Sequence, residues 1–198
     1  MGVKLVSASA GSVEIVAPTT ASNYTATMPA GTGNVVVNGI NSSIVSGTSQ
    51  ASTSGTSIDF TSIPSWVKRI TVMFQGVSTN GTSIIQIQIG AGSVTTTGYL
   101  GAGGYFQNAN VTGSTTFTSG FAITAAVAAS CVFHGSMVIT LLGSNAWVAN
   151  GAFARSDNAT NNFGQGSISL GGTLDRVRVT TVNGTDTFDA GSINILYE

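Results

Sequence analysis

Charge is what this 198-residue chain has least of: Asp, Glu, Lys and Arg make up 7% of it, against roughly 25% in an average soluble domain. Six Lys+Arg and seven Asp+Glu, a net charge of -1 at pH 7, give no electrostatic pull on phosphate backbones or anionic lipid, so neither nucleic acid nor a membrane surface is an expected partner. On a folded surface they would stand at about one charge per 670 Å². The single cysteine, Cys131, excludes an internal disulfide. The single histidine, His134, has no second imidazole with which to build a zinc site and only Cys131 close in sequence, so no metal or other cofactor is expected. No apolar run reaches the ~18 residues of a membrane helix; the most apolar stretch, residues 121–142, is interrupted by Thr124, Ser130, His134, Gly135, Ser136 and Thr140. Residues 1–7 lack the apolar core of a signal peptide, which predicts synthesis in a cytoplasm.

What is present is a chain 42% hydrophobic, the remainder mostly Gly, Ser, Thr and Asn, patterned with a period of two. Residues 1–37 hold three short alternating runs, 12–16, 23–28 and 34–37, divided by Ala17-Pro18-Thr19-Thr20 and Pro29-Ala30-Gly31-Thr32-Gly33; such turn chemistry between short runs predicts strands. This segment is below the ~40 residues at which a lone chain holds a core, so it is expected to dock on a partner or to associate with copies of itself. Residues 38–55 are dominated by Ser, Gly, Thr and Asn and are expected to be a linker with a root-mean-square reach of roughly 23 Å.

From residue 56 onward the alternation predicts Ile70, Val72 and Phe74 inward with Arg69, Thr71 and Gln75 outward, and Ile85, Ile87 and Ile89 inward against Gln86 and Gln88. Further runs at 114–124, 131–142, 146–154, 167–170, 174–181 and 192–197 bring the expectation to about eight strands. Asn80-Gly81, Asn183-Gly184 and Gly103-Gly104 are read as turns. Residues 122–129 read as a strand end plus loop rather than a helix. The expected fold is all-β: a C-terminal antiparallel β-sandwich of jelly-roll or Greek-key type over 56–198, preceded by a short β attachment segment.

Few residues offer chemistry. A serine nucleophile needs a base held by a third group, and His134 is the sole imidazole, with no Gly-x-Ser-x-Gly sequence. Paired carboxylates about 5 to 10 Å apart cleave glycosides; Asp186 and Asp189 are the nearest such pair in sequence, with Asp157 and Asp175 behind them. Asp186 lies in Asn183-Gly184-Thr185-Asp186, first of all a turn whose aspartate closes backbone hydrogen bonds. Arg176 and Arg178 share a face and suit inter-strand or inter-subunit pairing. A non-enzymatic protein is expected. Tyr99, Tyr105 and Phe106, set among Gly98, Gly101, Gly103 and Gly104, are candidates for stacking on sugar rings at an exposed tip, or else for a packed loop.

Two stretches carry a resemblance. The run 55–74, Gly55-Thr56-Ser57-Ile58-Asp59-Phe60-Thr61-Ser62-Ile63-Pro64-Ser65-Trp66-Val67-Lys68-Arg69-Ile70-Thr71-Val72-Met73-Phe74, then 76–83, and the close, Leu174-Asp175-Arg176-Val177-Arg178-Val179-Thr180 through Asn183-Gly184-Thr185-Asp186-Thr187-Phe188-Asp189-Ala190-Gly191-Ser192-Ile193-Asn194-Ile195, resemble a domain of virion proteins of tailed bacteriophages and prophages. Gly11-Ser12-Val13-Glu14-Ile15-Val16-Ala17-Pro18 with Tyr24-Thr25-Ala26-Thr27-Met28-Pro29 resembles a short β motif of phage fibre and head-decoration proteins. The resemblance implies a virion component made in a bacterial host, usually trimeric, with capsid or tail as partner. An attachment segment plus head, with no shaft between them, suits a homotrimeric decoration (cement) protein bound to the major capsid protein on the outer capsid surface. Val13, Ile15, Val16, Tyr24, Met28, Val35 and Val37 are the residues expected to attach or trimerise it. The alternative is a receptor-binding tip or adaptor module of a tail fibre or tailspike, recognising host cell-surface polysaccharide; the two roles can coexist.

Overall fold

The computed structural model describes residues 3–6, 12–15, 44–107 and 111–198, and the chain divides into two compact units, Met1–Val35 and Val36–Glu198. In the first unit β1 (Val3–Val6) pairs antiparallel with β2 (Ser12–Ile15), setting Val3 opposite Ile15, Leu5 opposite Val13 and Lys4 opposite Glu14. The runs expected at 23–28 and 34–37 lie outside the described residues.

The second unit is an all-β antiparallel sandwich, with no helix among the described residues. In chain order its strands are β3 (Val45–Ser46), β4 (Gln50–Ala51), β5 (Ser57–Thr61), β6 (Arg69–Thr79), β7 (Ile85–Ala91), β8 (Ser93–Val94) and β9 (Leu100–Gln107). They continue with β10 (Val111–Phe117), β11 (Phe121–Ala122), β12 (Phe133–Gly143), β13 (Ala146–Arg155), β14 (Thr160–Ser169), β15 (Arg176–Thr181) and β16 (Phe188–Tyr197). The larger sheet runs β10-β9-β14-β13-β12-β6-β16, with β3 and β4 both on the free side of β16; the smaller runs β11-β7-β15-β5, with β8 beside β7. Strands consecutive in sequence change sheet at β4 to β5, β5 to β6, β6 to β7, β8 to β9, β10 to β11, β11 to β12, β14 to β15 and β15 to β16, so the core is closed by pairings far apart in the chain.

That core follows the predicted alternation. Ile70, Val72 and Phe74 point in from β6, and meet Ile87, Ile89, Val177 and Val179 of the smaller sheet in one continuous apolar cluster. Phe74 and Phe153 pack edge to face at 5.3 Å between centroids, a geometry that adds to their area burial. Gln86 and Gln88 depart from expectation: both are buried, because the turn before β11 folds over the outside of β7. Ser119 Oγ donates to Gln86 Oε1 at 2.8 Å and Gln88 Nε2 donates to the Ser119 carbonyl at 2.8 Å, so the amides are buried with their partners.

Three further expectations are corrected. The linker read over 38–55 is, from Ile44 onward, sheet edge: β3 and β4 pair with β16, and the wholly buried Ser52 donates its hydroxyl to Ala190 O at 2.8 Å. Small polar residues serve an edge strand pressed on its neighbour as well as they serve a tether. Gly103-Gly104 is no turn but mid-strand in β9, where a Cβ at Gly103 would stand 2.6 Å from Thr124 O and one at Gly104 2.4 Å from the Phe163 ring. Glycine there marks close approach rather than reversal. The run at 114–124 is broken, ending as β10 and restarting as the two residues of β11.

The centre of the larger sheet is bulged. Register shifts where β6 meets β12 between Phe133 and Gly135, and where it meets β16 on either side of Ala190. A bulge leaves ladder groups unpaired, and His134 repairs this one: Gly76 N–H donates to His134 Nδ1 at 3.2 Å, while Nε2 lies 3.1 Å from Ser156 Oγ. With Nδ1 accepting, the neutral ring carries its proton on Nε2. The lone histidine is thus a half-buried structural cap. Gly191, at φ +90°, allows the approach, since a Cβ there would lie 2.4 Å from Gly76 O. Gly191→Ala should therefore cost about 2–4 kcal/mol, lowering Tm by roughly 4–16 °C in a calorimetric melt. Gly171→Ala, which meets nothing within 4 Å, should leave Tm unchanged within a degree or two.

Candidate functional site

Nearly all the charge of the sandwich is spent inside it. Arg178 grips Asp59 across the β15–β5 pair through two bonds, Nε to Oδ1 at 2.7 Å and Nη2 to Oδ2 at 3.0 Å. Arg176 makes the same fork with its neighbour Asp175, Arg155 with Asp157, and Arg69 pairs with Glu198. Fork geometry of this type is directional as well as charged. Among the described cations of the sandwich, Lys68 alone has no carboxylate partner.

The remaining acids close turns and bulges. Asp186 accepts from Ser83 N at 2.8 Å and from Asn183 Nδ2 at 2.7 Å, joining the β6–β7 turn to the β15–β16 turn. Asp189 accepts from the Ser78 hydroxyl. The arginine beside each of Asp157 and Asp175, and the Asn183 amide beside Asp186, hold these carboxyls below the usual carboxylate range. Among the described residues no group of three His, Cys, Asp or Glu converges as a metal site would require.

The result is a broad neutral surface. Five adjacent strands, β10, β9, β14, β13 and β12, contain one charged residue, Arg155 at the end of β13, and it is paired. Their outward rows carry Ser, Thr, Asn, Gln and Ala, with Leu100, Phe106 and Val148 exposed among them.

Of the three aromatics expected at an exposed tip, the structure separates the roles. Tyr99 is fully buried, edge to face with Phe121 at 4.9 Å. Its hydroxyl accepts from Ile89 N at 2.8 Å and donates toward Thr95 O at 3.0 Å or Ile89 O at 3.3 Å; burial pushes its pKa up to about 12. Tyr99 therefore cannot touch a glycan, and the correction has a simple cause: its side chain seals the sandwich where β8 and β11 meet the edge of β7. Phe106 is exposed on the outer face of β9 and stacks on Phe163 at 5.2 Å. Tyr105 is half-buried on the opposite face, as alternation within a strand requires.

Of the attachment residues, Val13 and Ile15 lie on β2, while Val16, Tyr24, Met28, Val35 and Val37 lie outside the described residues. The pairing partners Val3 and Leu5 on β1 were not singled out from sequence, although Val3-Lys4-Leu5-Val6 carries the same alternation as its partner strand.

Two outcomes follow from this geometry. Carboxyls with depressed pKa values stabilise the fold fully above the unfolded value of about 3.9 and lose that contribution as pH falls through their lower folded values. The Tm should be flat from pH 7 to about 5 and then fall below about 4, and Asp186→Asn should lower the neutral-pH Tm while flattening that acid limb in scanning fluorimetry. Tyr99→Phe leaves the Ile89 N–H without its acceptor and should cost about 1–3 kcal/mol in urea unfolding, without altering any surface contact.

No family model matches the chain, and no curated protein or solved structure matches it.

Proposed function

We propose that this chain is a non-enzymatic structural protein of a tailed-bacteriophage virion, a homotrimeric decoration protein that binds the major capsid protein on the outer capsid surface and reinforces it. The observation that carries the reading is the internal pairing of charge beside a wide neutral sheet face. Contacts made through such a face desolvate no ions and are not screened by salt, which suits a protein that must stay bound outside a cell in media of any ionic strength. Five strands at ~4.8 Å spacing and lengths near ten residues present a face of about 24 by 30 Å, close to the roughly 800 Å² that each partner gives to a standard interface. The division into a small two-stranded ribbon and a large sandwich supports separate roles, attachment for the first and surface presentation for the second.

The test is made with the full chain and with the Val13→Asp, Ile15→Asp double variant. In sedimentation equilibrium the full chain should weigh three times its 19.9 kDa and should coat purified capsids lacking it, with gold label spread over the head in electron microscopy. The double variant should keep the sandwich Tm and fail to coat. A monomeric full chain, or complete coating by the variant, overturns the assignment of attachment to the ribbon; label confined to the tail favours the receptor-binding module of a fibre or tailspike instead.

A further inference from the structure

A cavity of about 180 Å³ opens beside β9, β14 and the loop leading to β12, lined in part by Tyr105, Gln107, Val127, Cys131, Arg155, Thr160 and Asn162. Its residues are graded in a way that packing alone does not require. Cys131, Thr160 and Asn162 are buried, whereas Tyr105, Gln107, Val127 and Arg155 are half-buried. Thr160, only 5% exposed, holds its hydroxyl buried without any partner. A buried hydroxyl left unpaired costs about 1–3 kcal/mol, and such a group beside a cavity points to something that fills it.

The neighbouring polar groups are similarly underused. Asn162 Oδ1 accepts from Thr124 Oγ1 at 2.8 Å, but Nδ2 makes only two long contacts, to Phe153 O and Thr160 O, both at 3.4 Å. Those lie beyond the ordinary range for an N–H···O bond, so the amide is free to turn to a better acceptor. Arg155 spends Nε and Nη2 on Asp157, leaving Nη1 uncommitted among the described residues, and the Gln107 side chain makes no hydrogen bond to a described residue. The rest of the lining is one aromatic ring, Tyr105, and the apolar Ala126, Val127, Ala128 and Cys131.

These groups select for a ligand class. The only ionic group in the lining is the guanidinium, already neutralised by Asp157, so no net charge waits for a counterpart. What remains is a set of neutral donors and acceptors around a space with room for several waters, beside one aromatic ring. A compact molecule with many hydroxyls and one apolar face fits that description. We propose that this cavity binds one ring of a neutral saccharide, the ring face against Tyr105 and its hydroxyls shared among Thr160, Asn162, Gln107 and Arg155. The site does not depend on where the protein is located, so its failure would leave the decoration role untouched, and failure of that role would leave the site standing.

The experiment is an amide chemical-shift titration of the full chain with D-glucose, D-galactose, N-acetyl-D-glucosamine and L-rhamnose in turn, and with D-galacturonate as the charged comparison, up to about 50 mM, well above a millimolar Kd. At least one sugar should shift the amides around Gln107, Thr160 and Asn162, with those of the ribbon unmoved. Thr160→Val keeps the shape and removes a hydroxyl that the free protein does not use. It should hold or raise Tm and weaken binding about five- to tenfold. Gln107→Ala, at the rim, should also weaken binding and guards against a Thr160 variant that folds poorly. The proposal is overturned if none of the four sugars moves these amides, if both variants bind as the native chain does, or if D-galacturonate binds more tightly than D-galactose.

Discussion

The bulge in β6 is the constraint on which the sandwich depends. This strand lies between β12 and β16 in the larger sheet, and its inward residues Ile70, Val72, Phe74 and Val77 are all buried in the core. Phe74 and Val77 are three apart, so simple alternation would send one of them to solvent. The irregularity at Gly76 restores the inward direction, and both neighbours must yield to it: the register with β12 and that with β16 shift at the same level. His134 makes this tolerable by accepting the Gly76 N–H that the ladder leaves behind. A single imidazole therefore links the geometry of three adjacent strands.

Charge is used in the same economical way. Arg178 and Asp59 join β15 to the edge strand β5, and Asp186 joins two turns that are far apart in sequence. These ions act locally and in pairs, as directional hydrogen-bonding groups. Exposed pairs of this kind add little stability by Coulomb attraction; their contribution here is to fix edges and turns that a neutral, small-residue sequence would otherwise hold loosely. Removing charge from the open faces and concentrating it at joints are two aspects of one arrangement.

How much of this could be read from the residues depends on range. The all-β class and the inward rows of β6 and β7 were legible because alternation is local and the sandwich obeys it. Asp186 as a turn closer was legible too, since Asn183-Gly184 precedes it. Strand β9 was not: its glycines imitate a loop, and only the proximity of Thr124 O and Phe163 explains them. Tyr99, seven residues from Phe106 and equally aromatic, differs from it through contacts with Ile89, Thr95 and Phe121 that no spacing rule foretells. Gln86 and Gln88 read as outward because alternation cannot see a turn folding over a sheet's outer face. The Thr160 cavity combines strands and a loop that meet only after folding.

Those misreadings share a physical origin that bears on function. In a sequence this poor in charge, the same residue types serve edge strand, linker, turn and surface, and only tertiary contact decides among them. A neutral Ser/Thr/Asn surface is also permissive: hydroxyls and amides can meet water, a second copy of the chain or a sugar with similar free energy. Selectivity then has to come from shape and from polar groups denied their usual partners. On the broad sheet face, shape is flat and the polar groups are solvated, which suits extended association. At the Thr160 cavity, shape is concave and a hydroxyl is held dry without a partner, which suits a small ligand that brings hydrogen bonds of its own.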